Sequence, residues 1–431
     1  MEKNKFTILI PTPIHPKNRS LRIDFISLVK EKLGTKSEIN ILWFLYQPEP
    51  LQTNNSTSLI FDIHNYRDAI EAVEEIKPDC IMVNFSLEPI QYSLSIAAKI
   101  CKIPLISFYL EDYDTRQNYS QPNIFKKIQK LSNILFSNKV PTFSQSKTKP
   151  FFRSRFILYK KFFLINTINS KKYIKNKILF EKNKSKKIIN DLPDLHLICF
   201  KSWIAPLQSL GIHISKIKLI GNPIWDLPYE YSNIKKQKIK SNINSLNVLV
   251  VTDSLVEHGD WSEKKRDVFL TSLLTELTKS NSITFSLKIH PSSENIEYYE
   301  QLLKKLNINA KIYQNEYIWK LIESFDIVVS YGYTTTHTEL ACGEIKQILI
   351  QSDIPPVKLE LIDAAISTGL IKVHHDSSNL IQKIKEFYSQ PLELNQKYLL
   401  ERNDLTGGFN GDSAKQASET ILKFIKNNHL E

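Results

Sequence analysis

The chain has 431 residues, 42% of them hydrophobic, enough to bury a large core and long enough to favour two domains. Its formal net charge is +12, but the eighteen Lys and Arg and single acid between Gln121 and Asn190 carry +17 of that. The remainder sums to −5, which excludes a uniformly basic, nucleic-acid-binding body. The four cysteines form no CxxC pair, so a disulfide framework or zinc cluster is excluded and a reducing, cytoplasmic setting is the default.

Phe6–Ile10 and Glu38–Tyr46 read as strands, with a helix of apolar period near Leu21–Leu33 between them. The N-terminal apolar run is broken by Pro11 and Pro13, so no signal peptide is expected. No run approaches the roughly eighteen apolar residues that span a bilayer. Asp68–Ile76 is helical, Cys80–Phe85 a buried strand, Ser93–Cys101 helical and Pro104–Leu110 a strand, a βαβ alternation that predicts a parallel sheet. The pattern stops in the Lys/Ser/Asn-rich segment Lys126–Asn190 and resumes at Leu195–Phe200, Ser202–Leu210 and Lys218–Ile220. Gly221-Asn222-Pro223 is a turn signal, and a polar stretch then runs to Ser245.

The second half alternates more regularly. Strands are expected at Asn247–Thr252, Ile283–Ile289, Lys311–Tyr313, Asp326–Ser330 and Gln347–Gln351. Helices are expected at Glu263–Lys279, Glu294–Leu306, Tyr317–Ser324 and Thr336–Cys342. This is a doubly wound pattern, in which ligands sit beyond the carboxyl ends of the strands. Ten glycines, with only Gly34 ahead of Gly211, leave no GxGxxG and no P-loop, so a bound anion must be held by side chains and helix starts.

Three places carry candidate chemistry. Lys288-Ile289-His290-Pro291 ends a strand, where a His can donate to a phosphate oxygen; the plainer reading is a His in a turn. Ser330 through Glu339, with Thr334, Thr335 and Thr336, puts a hydroxyl cluster at a helix start, with Glu339 a turn further on to accept from ribose hydroxyls. The plainer reading there is a capping box. In the first half, His15 follows the first strand, and Glu111, Asp112 and Asp114 follow Pro104–Leu110; any of these can take a proton from an acceptor hydroxyl. Asp112-Tyr113-Asp114 has DxD spacing, but no second ligand cluster accompanies it, so no metal and no cofactor are expected.

The order Gly221-Asn222-Pro223…Asp226, Thr252-Asp253-Ser254, Lys288-Ile289-His290-Pro291 and Ser330…Thr335…Glu339…Gly343 resembles the GT-B superfamily. Within it, the His-Pro pair followed by a Ser/Thr-rich helix start is similar to bacterial sialyltransferases, Kdo transferases and CDP-glycerol glycerophosphotransferases. The resemblance covers about residues 218–427 well and 1–120 in layout. It implies two Rossmann-like domains facing a cleft: 1–220 on the acceptor side, with the basic insert near 121–190, and 221–411 on the nucleotide side. Residues 412–431 would form a final helix packing back toward the N-terminal domain. It further implies that Lys288, His290, Pro291, Ser330, Thr334, Thr335, Thr336 and Glu339 bind the donor nucleotide. Two departures stand out: Glu344-Ile345-Lys346 follows Gly343 where relatives have Gly-x-Pro, and Pro11–Asn18 lacks the usual glycines.

The expected function is inverting, metal-independent transfer of a sugar from a CMP-, CDP- or UDP-linked donor to a surface glycan or lipid-linked acceptor. Glu111 or Asp112 would act as base, with His15 behind them. A UDP-GlcNAc 2-epimerase-like isomerase is the same-fold alternative, suggested by Ser107-Phe108-Tyr109-Leu110-Glu111, although its Gly-Gly-x-x-x-Glu-Glu helix start is missing. A CDP-glycerol-type phosphotransferase is another. In Phe151–Ile165 the aromatics share one helical side and Arg153, Arg155, Lys160 and Lys161 supply cations, which suits peripheral contact with an anionic membrane at the inner face of the cell. A nucleic-acid footprint over Lys126–Lys187 is the alternative of a different class, but no RNA module accompanies it and no nucleic-acid partner is expected.

Overall fold

In a computed structural model of the chain, the residues described are 5–12, 15–16, 26–27, 29, 31, 38–46, 59–66, 68–85, 89–110, 191–236, 245–257, 260–291, 294–332, 336–350, 360–390 and 396–429. They divide into two units. One takes the described residues up to Ile224 together with those from Thr406 onward, and the other takes Trp225–Leu405.

The first unit holds a seven-stranded sheet: β1 (Lys5–Thr12), β2 (Glu38–Leu45), β3 (Ile60–Asp62), β4 (Cys80–Asn84), β5 (Leu105–Tyr109), β6 (Leu195–Ile198) and β7 (Ile217–Leu219). Its order is β3-β2-β1-β4-β5-β6-β7, with every pair parallel. The order reverses between β1 and β4. β5 (LISFY) is buried at all five positions, the run expected of a parallel strand covered on both faces. Helix α1 (Ala69–Ile76) starts at Asp68, whose carboxylate accepts from the Ile70 and Glu71 amides at 2.9 Å. Ala69, Ala72 and Val73 then pack with Ala97 and Ala98 of α2 (Pro89–Ile100) over Ile81 and Val83. Helix α3 (Ile204–Ser209) follows β6. The final helix, Ser413–His429, belongs to this unit; Ser418 Oγ donates to the Val29 carbonyl at 2.9 Å.

The second unit begins with α4 (Asp226–Lys236) and holds six strands: β8 (Leu246–Val251), β9 (Ile283–Lys288), β10 (Lys311–Tyr313), β11 (Ile327–Tyr331), β12 (Gln347–Ile350) and β13 (Ile371–His374). Their order is β10-β9-β8-β11-β12-β13, again all parallel. Between the strands run α5 (Glu263–Thr278), α6 (Ile296–Lys305), α7 (Ile318–Leu321), α8 (Thr336–Cys342) and α9 (Glu360–Ser367), with α10 (Leu380–Ser389) after β13. Side chains alternate across the sheet as a two-residue period demands. Leu246, Val248 and Val250 join Ile327 and Val329 under α5 and α6, while Leu249, Val251 and Val328 face α7. The strands β3 and β13 and the helices at Asp226–Lys236, Glu360–Ser367, Leu380–Ser389 and Gln396–Thr406 are additions to the sequence reading; the two strands are too short for a period to mark them.

Candidate functional site

In the second sheet the winding reverses between β8 and β11, and the crevice beyond their carboxyl ends is where an open α/β sheet takes its ligand. Three loops converge there: Thr252-Asp253-Ser254 after β8, Ile289-His290-Pro291 after β9, and Gly332 leading to α8 after β11. β9 and β11 flank β8, so the His290 loop and the Thr336 helix start stand on either side of Asp253.

Gly332 sits at φ +73°, a conformation other residues rarely adopt, and a Cβ added there would lie 2.8 Å from Asp253 Cβ and 2.9 Å from its Cγ. Behind it, His337 is buried, with Nδ1 at 2.9 Å from Gln347 Oε1 and Nε2 at 3.2 Å from the Gly332 carbonyl. Burial pushes the His337 pKa down, against the pull of these two acceptors. Trp261 stacks on Tyr331 at a centroid separation of 5.8 Å and an interplanar angle of 4°, holding the far end of the β8 loop against β11.

The His290 loop is held by its backbone. Its amide donates to Glu294 Oε2 at 2.6 Å, and Gln314 Nε2 reaches the Glu294 carbonyl at 2.9 Å. Glu294 also accepts from Thr252 Oγ1 and from the Tyr299 hydroxyl. Burial raises the Glu294 pKa, and these three donors oppose the rise by favouring the carboxylate.

His290 is half-buried and Pro291 exposed. Lys288 is turned inward: its ammonium donates to the carbonyls of Ile289 and Gln314, both at 2.8 Å, and so braces the loop. Ser330 is buried in the sheet, with a weak 3.5 Å contact to the Ile348 carbonyl. Thr336 and Glu339 are half-buried in the first turn of α8. Thr334 and Thr335 lie outside the described residues. Sequence reasoning placed Glu294 only at the start of a helix and passed over Gln314; their roles depend on Thr252 and on the Glu294 carbonyl, partners 42 and 20 positions away.

The departure at Gly343-Glu344-Ile345 has its own packing. Glu344 takes φ +55°, and its buried carboxylate meets Arg402 Nη1 at 3.0 Å, which also donates to the Cys342 carbonyl at 3.2 Å. Lys346, with a pKa lowered to about 8 by burial first and then by Lys372, donates to the Phe387 and Tyr388 carbonyls at 2.8 and 3.2 Å, closing the end of α10.

In the first unit His15 is half-buried just past β1. Tyr109, the last residue of β5, places its hydroxyl 2.7 Å from His196 Nδ1, and its ring meets Trp203 edge-on at 4.6 Å. Asn222 Nδ2 donates to the Leu110 carbonyl at 3.2 Å, fixing the chain where β5 ends. Glu111, Asp112, Arg153, Arg155, Lys160 and Lys161 lie outside the described residues. Among the described residues, no group of three or more His, Cys, Asp or Glu is placed to hold a metal ion, and no helix is long and apolar enough to cross a membrane.

No protein-family model matches the chain, and no curated protein matches it in sequence. Solved structures do match over nearly the whole length. The UDP-GlcNAc 2-epimerase of Methanocaldococcus jannaschii superposes with a TM-score of 0.53 at 13% identity, covering 97% of this chain and 99% of its own. The Staphylococcus aureus protein MnaA, solved with UDP, gives 0.52 at 12% identity, covering 100% and 98%. The two-unit, parallel-sheet α/β architecture is thus the GT-B-like one these proteins share.

Proposed function

We propose that the chain is a glycosyltransferase that uses a nucleotide-activated sugar. The observation carrying this reading is the convergence of Asp253, His290, Gly332 and the Thr336 helix start at the point where the second sheet reverses its winding. His290 and Thr336 present donors where the phosphates of a nucleotide would sit, and Glu339 stands in the same helical turn for the ribose. UDP is the nucleotide favoured for testing, since the S. aureus protein of like fold was solved with it.

In the proposed transfer, Glu111 or Asp112, with His15 behind, removes the proton of an acceptor hydroxyl. The freed oxygen bonds to the anomeric carbon, the carbon–oxygen bond to the phosphate breaks, and configuration inverts. The nucleoside phosphate leaves with the extra negative charge, which hydrogen bonds from His290 and the hydroxyls stabilise. The acceptor is a surface glycan or its lipid-linked precursor, and the insert carrying Arg153, Arg155, Lys160 and Lys161 serves to meet an anionic membrane. A sialyltransferase or Kdo-transferase activity belongs to the same reading, whereas a CDP-glycerol-type phosphotransferase, in which the acceptor oxygen attacks phosphorus and a phosphorus–oxygen bond breaks, is a separate alternative on the same fold.

The epimerase reading is favoured by a specific observation: the M. jannaschii protein that shares the fold at a TM-score of 0.53 is a UDP-GlcNAc 2-epimerase. Against it stands the helix start Gly332-Tyr333-Thr334-Thr335-Thr336-His337-Thr338-Glu339, which lacks the paired glycines and paired acids of that enzyme. Incubation with UDP-GlcNAc alone separates the two. Conversion to the 2-epimer without an acceptor overturns the transferase reading; turnover of a nucleotide sugar only when a glycan acceptor is added supports it.

A further inference from the structure

We propose that Glu294 is a positioning residue that locks the Asp253 and His290 loops together, an inference that rests on reading this site as the place where donor phosphates bind. Glu294 is 5% exposed and lies just ahead of α6. It is not the cap of that helix: Asn295 fills the role, its side chain accepting from the Glu297 amide at 3.0 Å. The Glu294 oxygens reach instead to three other places. Oε2 accepts from the His290 amide and from Thr252 Oγ1, and Oε1 accepts from the Tyr299 hydroxyl. Thr252 opens the loop after β8 and His290 the loop after its neighbour β9, so one buried group spans both.

A buried charge is costly unless its lone pairs are met, and here three donors meet them. Geometry makes the arrangement rigid. Gln314 holds the Glu294 carbonyl, and Lys288 holds the carbonyls of Ile289 and Gln314, so Ile289 and Glu294 are both tied to the segment around Gln314. Removing the carboxylate would leave the His290 amide without its acceptor and release the loop from β8. His290 would then have to be ordered by the ligand itself, which lowers affinity.

The test compares the full-length wild type with Glu294→Gln and Glu294→Ala, reading hydrogen exchange at the His290 amide and affinity for UDP. Gln has one oxygen to place at the position of Oε2 and an amide to offer Tyr299, so it is expected to keep both values near wild type. Ala is expected to speed exchange at His290 at least tenfold and weaken UDP binding by a similar factor. A folded Ala variant with wild-type exchange and wild-type affinity overturns the proposal. Should that variant fail to fold, Glu294→Asp decides: it keeps the charge but falls one methylene short of its donors. The same two losses are then expected, and wild-type values overturn the proposal. If the wild type binds no UDP, the nucleotide reading fails by itself, while the exchange measurement still decides whether Glu294 positions the loop.

Discussion

Gly332 and Asp253 meet backbone to side chain across the reversal point of the second sheet, so closely that no Cβ fits between them. The contact brings the end of β11 onto the loop after β8, and both the positive φ and the missing side chain are needed for it.

Gly332→Ala is therefore expected to destabilise the second unit. Left-handed backbone costs an L residue about 1–2 kcal/mol, and overpacking adds about 1–3 kcal/mol. An unfolding free energy lowered by the sum, about 2–5 kcal/mol, seen as an earlier urea midpoint, with UDP binding lost, is the expected result. An unshifted midpoint shows that Asp253 can move aside.

His290→Ala should weaken UDP binding by about 1.5–3 kcal/mol, the usual worth of a hydrogen bond to a charged group. Because His290 is only half-buried, the melting temperature should stay close to that of the wild type. Titration calorimetry checks the first and a thermal melt the second; unchanged affinity in a folded variant removes His290 from the phosphate site.

Transfer should survive EDTA, because the proposed reaction meets leaving-group charge with hydrogen bonds. Glu111→Gln or Asp112→Asn should lower turnover while sparing donor affinity, as expected of a group that acts mainly in the transition state. Activity abolished by EDTA and restored by a divalent ion would transfer the role to the Asp112-Tyr113-Asp114 spacing.

His196 gives a pH signature to the first unit. It is fully buried, and burial first, then Lys216, lowers its pKa to about 4 from the ordinary 6.5. Above 6.5 the imidazole is neutral whether the chain is folded or not, and stability is fully present. As the pH falls from 6.5 toward about 4, the unfolded chain takes up a proton that the folded one refuses, so stability drops. The loss levels off below about 4 at no more than about 3 kcal/mol. Chemical denaturation at a series of pH values measures it, and His196→Gln should flatten the slope. An identical slope in that variant assigns the acid sensitivity to other groups.

The sequence alone determined the class of structure and where its loops fall. Apolar runs such as Cys80–Asn84 and Leu246–Val251, separated by helices of three or four turns, dictate parallel strands, because period and burial are local properties of a segment. The same local grammar put His290 and Thr336 just past strand ends. Tertiary structure alone decided which strand ends are neighbours. That β8 lies between β9 and β11, bringing Asp253 against Gly332 and Thr252 within reach of Glu294, depends on pairings between residues some forty to eighty positions apart. It also decided that the Lys288 ammonium turns inward to backbone carbonyls, whereas the family resemblance implied a contact with the donor nucleotide. A charged group in a crowded loop goes to whichever partner is nearest in space, and distance in space is not written into distance along the chain.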